Sequence, residues 1–289
     1  MLTRREILIA SAAVAIAPDA SAAMGAERAL KQIHERIGGR LGVHVLDSQS
    51  GRRIGFDDNS RYAMASTFKL PLVAALLWQV DRKAFSLERG MPIAKSALVA
   101  HSPAVEAKLA TGADSMSVRE LCAAAMTLSD NTAANILLSG IGGPQGLTAF
   151  LRTLGDTASR LDRSEPELNS NLAGDPRDTT TPRAIVNSML KLFTQGVLSL
   201  PSRALLIDWM AAASTGLERV RAGIPKSWNP GDKTGGGDNG ASNDLVIAYP
   251  PGRRPIFIAV YMSESKLSVA ELNAAHAEIG GIVANERWK

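Results

Sequence analysis

Strand-like segments lie at the two ends of this chain and helical segments fill the middle, and that order limits the fold more than any other feature. Near the N-terminus "GAERALKQIHERI" reads as an amphipathic helix stopped by Gly38-Gly39. "RLGVHVLDSQSGRRIGF" then alternates apolar and polar residues around Asp47-Ser48-Gln49-Ser50-Gly51, the pattern of a hairpin. From residue 66 to about 208 the apolar spacing is almost wholly helical, as in "FKLPLVAALLWQVD" and "TPRAIVNSMLKLFTQG". After one more helix in "IDWMAAAS", the stretches "WNPGDKTGGG", "ASNDLVIAYPP" and "RRPIFIAVYMS" read as three consecutive strands. "SVAELNAAHAEIGGIVANERWK" closes the chain as a helix. The class is therefore α+β with an all-α insertion. Its simplest form is one antiparallel sheet assembled from both ends and flanked by the terminal helices. A cleft then separates the sheet (residues 23–65 and 209–289) from the helical part (66–208).

Residues 1–22 stand apart. They carry Arg4 and Arg5, an apolar stretch over 7–17, and Ala20-Ser21-Ala22, a triplet suited to signal peptidase. The apolar run is too short to span a bilayer, so it reads as a cleaved export signal and not as a stable membrane anchor. Thr3-Arg4-Arg5 fits the twin-arginine route, with the general secretory route as the alternative. A periplasmic or secreted protein is expected. Its net charge of +4 is mild and the basic residues are scattered, which gives no support to a nucleic-acid partner. Cys122 is the only cysteine, so no internal disulfide can form; its apolar helical setting, "VRELCAAAMTL", predicts a buried small hydrophobe. His34, His44, His101 and His276 show no metal-ligand spacing, and neither a metal nor an organic cofactor is implied.

The chemistry is suggested by "ASTFKLP", which sets Ser66 and Lys69 one helical turn apart at the head of an apolar run. There Ser66 is either an ordinary helix cap or a nucleophile whose hydroxyl a nearby lysine can deprotonate. S-x-x-K occurs three times, at Ser66–Lys69, Ser188–Lys191 and Ser263–Lys266, so one match decides nothing. Only the first is followed, in order, by Ser129-Asp130-Asn131 and then by Lys233-Thr234-Gly235 entering a strand.

With that trio the sequence resembles the penicillin-recognising serine enzymes. "DRSEPELN", residues 162–169, is similar to the omega loop of class A serine β-lactamases, here about 160–178, and the likeness runs through "SDNTAANILL", "GDPRDTTTP" and "RAGIP". The resemblance implies hydrolysis of a β-lactam through an acyl-serine on Ser66. Lys69 would polarise or deprotonate that hydroxyl, with Glu165 acting through a water as the alternative base. The oxyanion hole would be the backbone amides of Ser66 and Gly236. Ser129 would protonate the departing ring nitrogen, and Asn131 would hold the substrate's side-chain amide. Lys233 and Thr234 would face its carboxylate, with Gly235 and Gly236 letting the strand pass close. Glu165, with Asn169 helping to hold a water, would cleave the acyl ester; Arg163 would pin the loop to an acid such as Asp178.

Several departures from better-known members bear on substrate range. The strand after K-T-G lacks an arginine, so Arg219 in "LERVRAGIP" is the expected second carboxylate anchor, ahead of Arg221. His101 occupies a rim position where tyrosine is usual. Ala65 stands where carbapenem-hydrolysing members carry a cysteine, and Gly236 lacks a hydroxyl that aids cephalosporin binding. The expected enzyme is a monomeric penicillinase with some cephalosporin activity and poor carbapenem turnover. The competing readings are a D-alanyl-D-alanine peptidase and a penicillin sensor that keeps a stable acyl-serine; the glutamate of "EPELN" argues against both. No G-x-S-x-G elbow supports an α/β-hydrolase.

Overall fold

The computed structural model describes residues 20–288. Most of the expected export signal lies outside the described residues, and Ala20-Ser21-Ala22 open the first helix. The strands are β1 (Arg40–Asp47), β2 (Arg53–Phe56), β3 (Tyr62–Ala63), β4 (Gly90–Pro92), β5 (Ser115–Ser117), β6 (Thr179–Thr180), β7 (Gly231–Gly236), β8 (Ser242–Ala248) and β9 (Ile256–Ser263). The helices are α1 (Ala20–Ile37), α2 (Lys69–Asp81), α3 (Pro103–Ala110), α4 (Val118–Thr127), α5 (Asn131–Gly140), α6 (Gly143–Thr153), α7 (Pro182–Thr194), α8 (Leu200–Ala211), α9 (Val220–Gly223) and α10 (Val269–Asn285).

As the sequence predicts, both chain ends build one antiparallel sheet, in the order β2-β1-β9-β8-β7. Side chains alternate across it with period two. In β9, Ile256, Ile258, Val260 and Met262 pack with Leu30 and Ile33 of α1 and Ile279 of α10. Phe257, Ala259 and Tyr261 point the other way, into a larger core shared with the inserted helices. Burial on both faces explains why β9 is almost uninterruptedly apolar. The terminal helix α10 starts with a capping box between Ser268 and Glu271, the local signal that fixes where it begins.

The insertion is built around α2, whose residues from Leu70 through Leu77 are all buried. A helix apolar all round belongs at the centre of a bundle. Pro71 falls in its first turn, where a missing amide hydrogen removes no intrahelical bond. Three details differ from the sequence reading. The helix expected at Ser66 starts as a single 3-10 turn, Ala65–Phe68, which runs into α2 at Lys69. Helix α8 begins at Leu200 and sends Leu206 and Met210 into the helical core, so a boundary at 208 would cut through it. Two small ribbons, β3–β6 and β4–β5, went unpredicted because two or three residues carry no readable period.

Candidate active site

Three segments meet where the sheet edge faces the insertion. The 3-10 turn presents Ser66, half-buried. Ser129-Asp130-Asn131 links α4 to α5. Strand β7 supplies Lys233 and Thr234 from the sheet edge. The turns are fixed by ordinary means. Asp130 caps α5 by accepting from the amide of Ala133 (2.8 Å) and also ties down α3 through the amides of Ala104 (2.9 Å) and Val105 (3.1 Å). It braces the loop. Gly235 lets β7 approach the nucleophile turn, since a Cβ there would lie 2.8 Å from the carbonyl oxygen of Met64. Ala65, Ser129 and His101, all beside the cleft, have φ of +43°, +59° and +60°, a conformation disfavoured for side-chain-bearing residues.

Ser66 is not a helix cap. Its Oγ accepts from Lys69 Nζ (2.8 Å) and donates to Glu165 Oε1 (3.1 Å). Lys69 Nζ also lies 3.0 Å from Glu165 Oε1 and donates to Asn131 Oδ1 (2.6 Å) and to the carbonyl (2.8 Å) and hydroxyl (3.2 Å) oxygens of Ser129. On the far side, Lys233 Nζ reaches the same Ser129 hydroxyl at 3.1 Å. A chain of polar atoms thus runs from Glu165 through Ser66, Lys69 and Ser129 to Lys233. Both lysines are fully buried. Burial lowers the Lys69 pKa, while Glu165 and Asp130 oppose the shift. Lysine–lysine repulsion acts at Lys233: burial first and the Lys69 charge second bring Lys233 down to about 7.

Glu165 sits on a loop closed at its neck. Buried Asp178 accepts from the amides of Asp162 (2.7 Å) and Arg163 (2.9 Å), and its other oxygen pairs with Arg163 Nε at 2.6 Å. Leu168 anchors the loop in the core. The Glu165–Pro166 peptide is cis. Asn169 Nδ2 donates to Glu165 Oε2 at 2.5 Å, whereas the carboxylate two residues on, Glu167, is exposed. Asn135 went unnoticed in the sequence. It brackets Glu165, donating Nδ2 to the Glu165 carbonyl and accepting from its amide, both at 2.9 Å. The available signal was spacing, since Asn131 and Asn135 stand four apart on α5.

Thr234 is joined through its Oγ1 to Thr215 Oγ1 at 2.6 Å, another residue that no motif singles out. Arg219 donates from Nη1 to the carbonyls of Gly235 (2.8 Å) and Asn243 (2.7 Å), which moors it beside the end of β7. Arg221 is instead held against Asp232 at 2.8 Å. Asn131 spends Oδ1 on Lys69 and one amide hydrogen on the Ala100 carbonyl (2.9 Å), leaving a second hydrogen for a ligand. His101 is exposed at the rim. Its ring meets the Leu128 carbonyl (2.9 Å) and its own carbonyl accepts from the Asn131 amide (2.9 Å). At Gly236 a Cβ would find nothing nearer than 4.0 Å, while at Gly237 it would lie 2.5 Å from the Asn169 carbonyl oxygen. Among the described residues no group of three or more His, Cys, Asp or Glu is placed to hold a metal ion. The arrangement suits acyl transfer: an accessible hydroxyl, two bases beside it, a proton relay, and cationic groups opposite.

The family profile described as "Beta-lactamase enzyme family" matches residues 25–287. Beta-lactamase AST-1 of Nocardia asteroides is 43% identical over 254 residues, which is 88% of this chain and 81% of that protein. The carbapenem-hydrolyzing beta-lactamase KPC of Klebsiella oxytoca is 45% identical over 231 residues, 80% of this chain and 78% of that one. Among solved structures, the class A beta-lactamase reconstructed for the last common ancestor of Gram-negative bacteria superposes with a TM-score of 0.87 at 48% identity, covering 90% of this chain and 98% of that one. With these matches spanning nearly all of its length, the chain belongs to the class A serine β-lactamases.

Proposed function

We infer that this enzyme hydrolyses β-lactams in two steps, with Ser66 as nucleophile and Glu165 as the base that frees it. The observation that carries the assignment is the position of Glu165 Oε1, 3.1 Å from Ser66 Oγ and 3.0 Å from Lys69 Nζ. Attack by Ser66 Oγ on the lactam carbonyl forms an ester and breaks the ring C–N bond. The hydroxyl proton passes to Lys69 or, through a water, to Glu165. It reaches the leaving nitrogen through Ser129, whose Oγ lies within 3.2 Å of both buried lysines. The backbone amides of Ser66 and Gly236 stabilise the oxyanion. Lys233, Thr234 and Arg219 receive the substrate carboxylate, and Asn131 its side-chain amide. Glu165, oriented by Asn169, then activates a water against the ester, which returns Ser66 to its starting state.

The retained glutamate favours turnover over the peptidase and sensor readings. Benzylpenicillin separates them: rapid hydrolysis by the purified protein is expected, and a persistent adduct on Ser66 with little turnover would contradict it. A penicillinase with some cephalosporin activity and weak carbapenem turnover is the specific expectation. Ala65 precedes the nucleophile, and Cys122 is buried in α4, where it cannot form a bond across the site. Comparable kcat/KM for a carbapenem and for benzylpenicillin would refute that expectation. The enzyme acts as an exported monomer with residues 1–22 removed, by the twin-arginine route or, as the alternative, the general secretory route. Among the described residues no helix is long and apolar enough to cross a membrane. The intact mass of the exported form tests the cleavage, and its elution volume tests the monomer.

A further inference from the structure

Beneath the K-T-G strand lies a pair of carboxyls for which the mechanism above has no use. Asp232 and Asp244 are both fully buried. The register pairs Thr234 with Asp244 and Asp232 with Val246, so the two aspartates share one face of neighbouring strands, a diagonal step apart. Asp232 Oδ1 accepts from Arg221 Nη1 at 2.8 Å, and Asp244 Oδ2 accepts from the Val220 amide at 3.2 Å. Each aspartate keeps one buried oxygen without a partner, Oδ2 of Asp232 and Oδ1 of Asp244. Gly216 closes over the first of these so tightly that a Cβ would lie 1.7 Å from it. Two orphaned carboxylate oxygens on residues a diagonal step apart in a closed interior are costly. A single proton held between them satisfies both.

We propose that Asp244 carries a proton shared with Asp232 at neutral pH, and that this neutralisation leaves the Arg219 charge available to the substrate carboxylate. The proposal makes Asp244 a positioning residue, and it rests on the reading of Arg219 as an anchor. The charged and titratable groups around the pair are Arg219, Arg221, Lys233, His276 and, from β9, Tyr261. Asp232 is balanced by Arg221. Arg219 donates only to neutral oxygens, the carbonyls of Gly235 and Asn243 and the side chain of Asn273, and has no carboxylate within 4.0 Å among the described residues. Were Asp244 ionised, its charge would cancel that of Arg219 from beneath the strand. Burial, reinforced by the Asp232 charge, raises the Asp244 carboxyl well above its ordinary value. Burial and Arg219 hold His276 neutral, at about 3.

The test compares the wild type with Asp244→Asn, which keeps the shape and supplies a permanent hydrogen-bond donor. A raised carboxyl binds its proton more tightly in the folded state, so wild-type stability must fall, relative to the variant, as pH rises from about 4 to about 7. At pH 7 the variant should retain kcat/KM for benzylpenicillin within about threefold, because its amide replaces the shared proton. A pH-independent Tm difference between the two proteins, or a much larger loss of kcat/KM, would overturn the proposal. The wild-type infrared spectrum at pH 7 gives a second measurement if the variant does not fold. A protonated-carboxyl band must be present there, and its absence also overturns the proposal. Arg219→Ala separates the two readings. An unchanged KM for benzylpenicillin in that variant would remove the anchoring role while leaving the infrared and stability results to stand for the proton.

Discussion

Replacing Asn135 with alanine should loosen the catalytic glutamate without touching it. Asn135 makes two hydrogen bonds of 2.9 Å to the backbone of Glu165, one as donor and one as acceptor. Their loss removes about 1 kcal/mol each and leaves two largely buried main-chain groups short of partners, for a total of about 2–4 kcal/mol. In a chain of this size that corresponds to a fall in Tm of about 4–8 °C. If even ~1.4 kcal/mol of the loss falls on the placement of the carboxylate, ester hydrolysis slows about tenfold. Ser66 and Lys69 are held by α2 and the Ser129 loop, so acylation should suffer less. Stopped-flow hydrolysis of benzylpenicillin should then show a burst of one equivalent followed by a slow steady state, with Tm read separately by calorimetry. Unchanged Tm together with unchanged kcat would refute this account of how Glu165 is held.

Lys233 is lowered to about 7 by burial and by Lys69, so in the free enzyme it loses its charge as pH rises past about 7. The pH profile of kcat/KM should fall on that side, and Lys233→Arg, charged throughout, should flatten the limb; a profile unaltered by the substitution would exclude Lys233 as its origin. For stability the sign is opposite: the unfolded chain binds the extra proton between about pH 7 and 10, so this residue's contribution grows with pH over that window, as Tm measured against pH in wild type and Lys233→Arg would show. Gly236→Ser should fold normally, since the nearest atom to a Cβ is 4.0 Å away, whereas Gly235→Ala should lose activity because its Cβ would meet the Met64 carbonyl at 2.8 Å. Equal activities of the two variants would contradict that reading. Asp178→Asn breaks a buried pair with Arg163 and should cost about 3–5 kcal/mol, seen as early unfolding in denaturant. Cys122 is buried and burial raises its thiol pKa, so thiol reagents should label it only after unfolding.

Much of this site was legible because its residues come in short, ordered clusters. Ser66 with Lys69, Ser129 with Asn131, and Lys233 with Thr234 each belong to one turn or strand, and their order along the chain excluded the two other S-x-x-K matches. The sheet was equally readable, since the alternating N-terminal hairpin and the apolar, turn-bounded strands at the C-terminus had no other partner. Asn135 and Thr215 escaped because they act across space, one on a loop backbone thirty residues downstream and the other on a neighbouring strand. Apart from the four-residue spacing of Asn135 from Asn131, nothing local distinguishes either from a surface polar residue. The cause of the lysine shifts was also hidden, because sequence shows that Lys69 and Lys233 share a cleft but not how deeply each is buried. The Asp232–Asp244 pair depends on register, which only the folded sheet reveals.

The central claim is that Glu165 frees the acyl-serine, and trapping that intermediate tests it most directly. Glu165→Ala would be mixed with benzylpenicillin and its intact mass followed over time, with peptide mapping to locate any adduct. A penicilloyl group accumulating on Ser66 of the variant, while the wild type turns over without one, is the predicted result. Rapid turnover by Glu165→Ala with no adduct would contradict the claim and leave Glu165 as a structural residue of the loop.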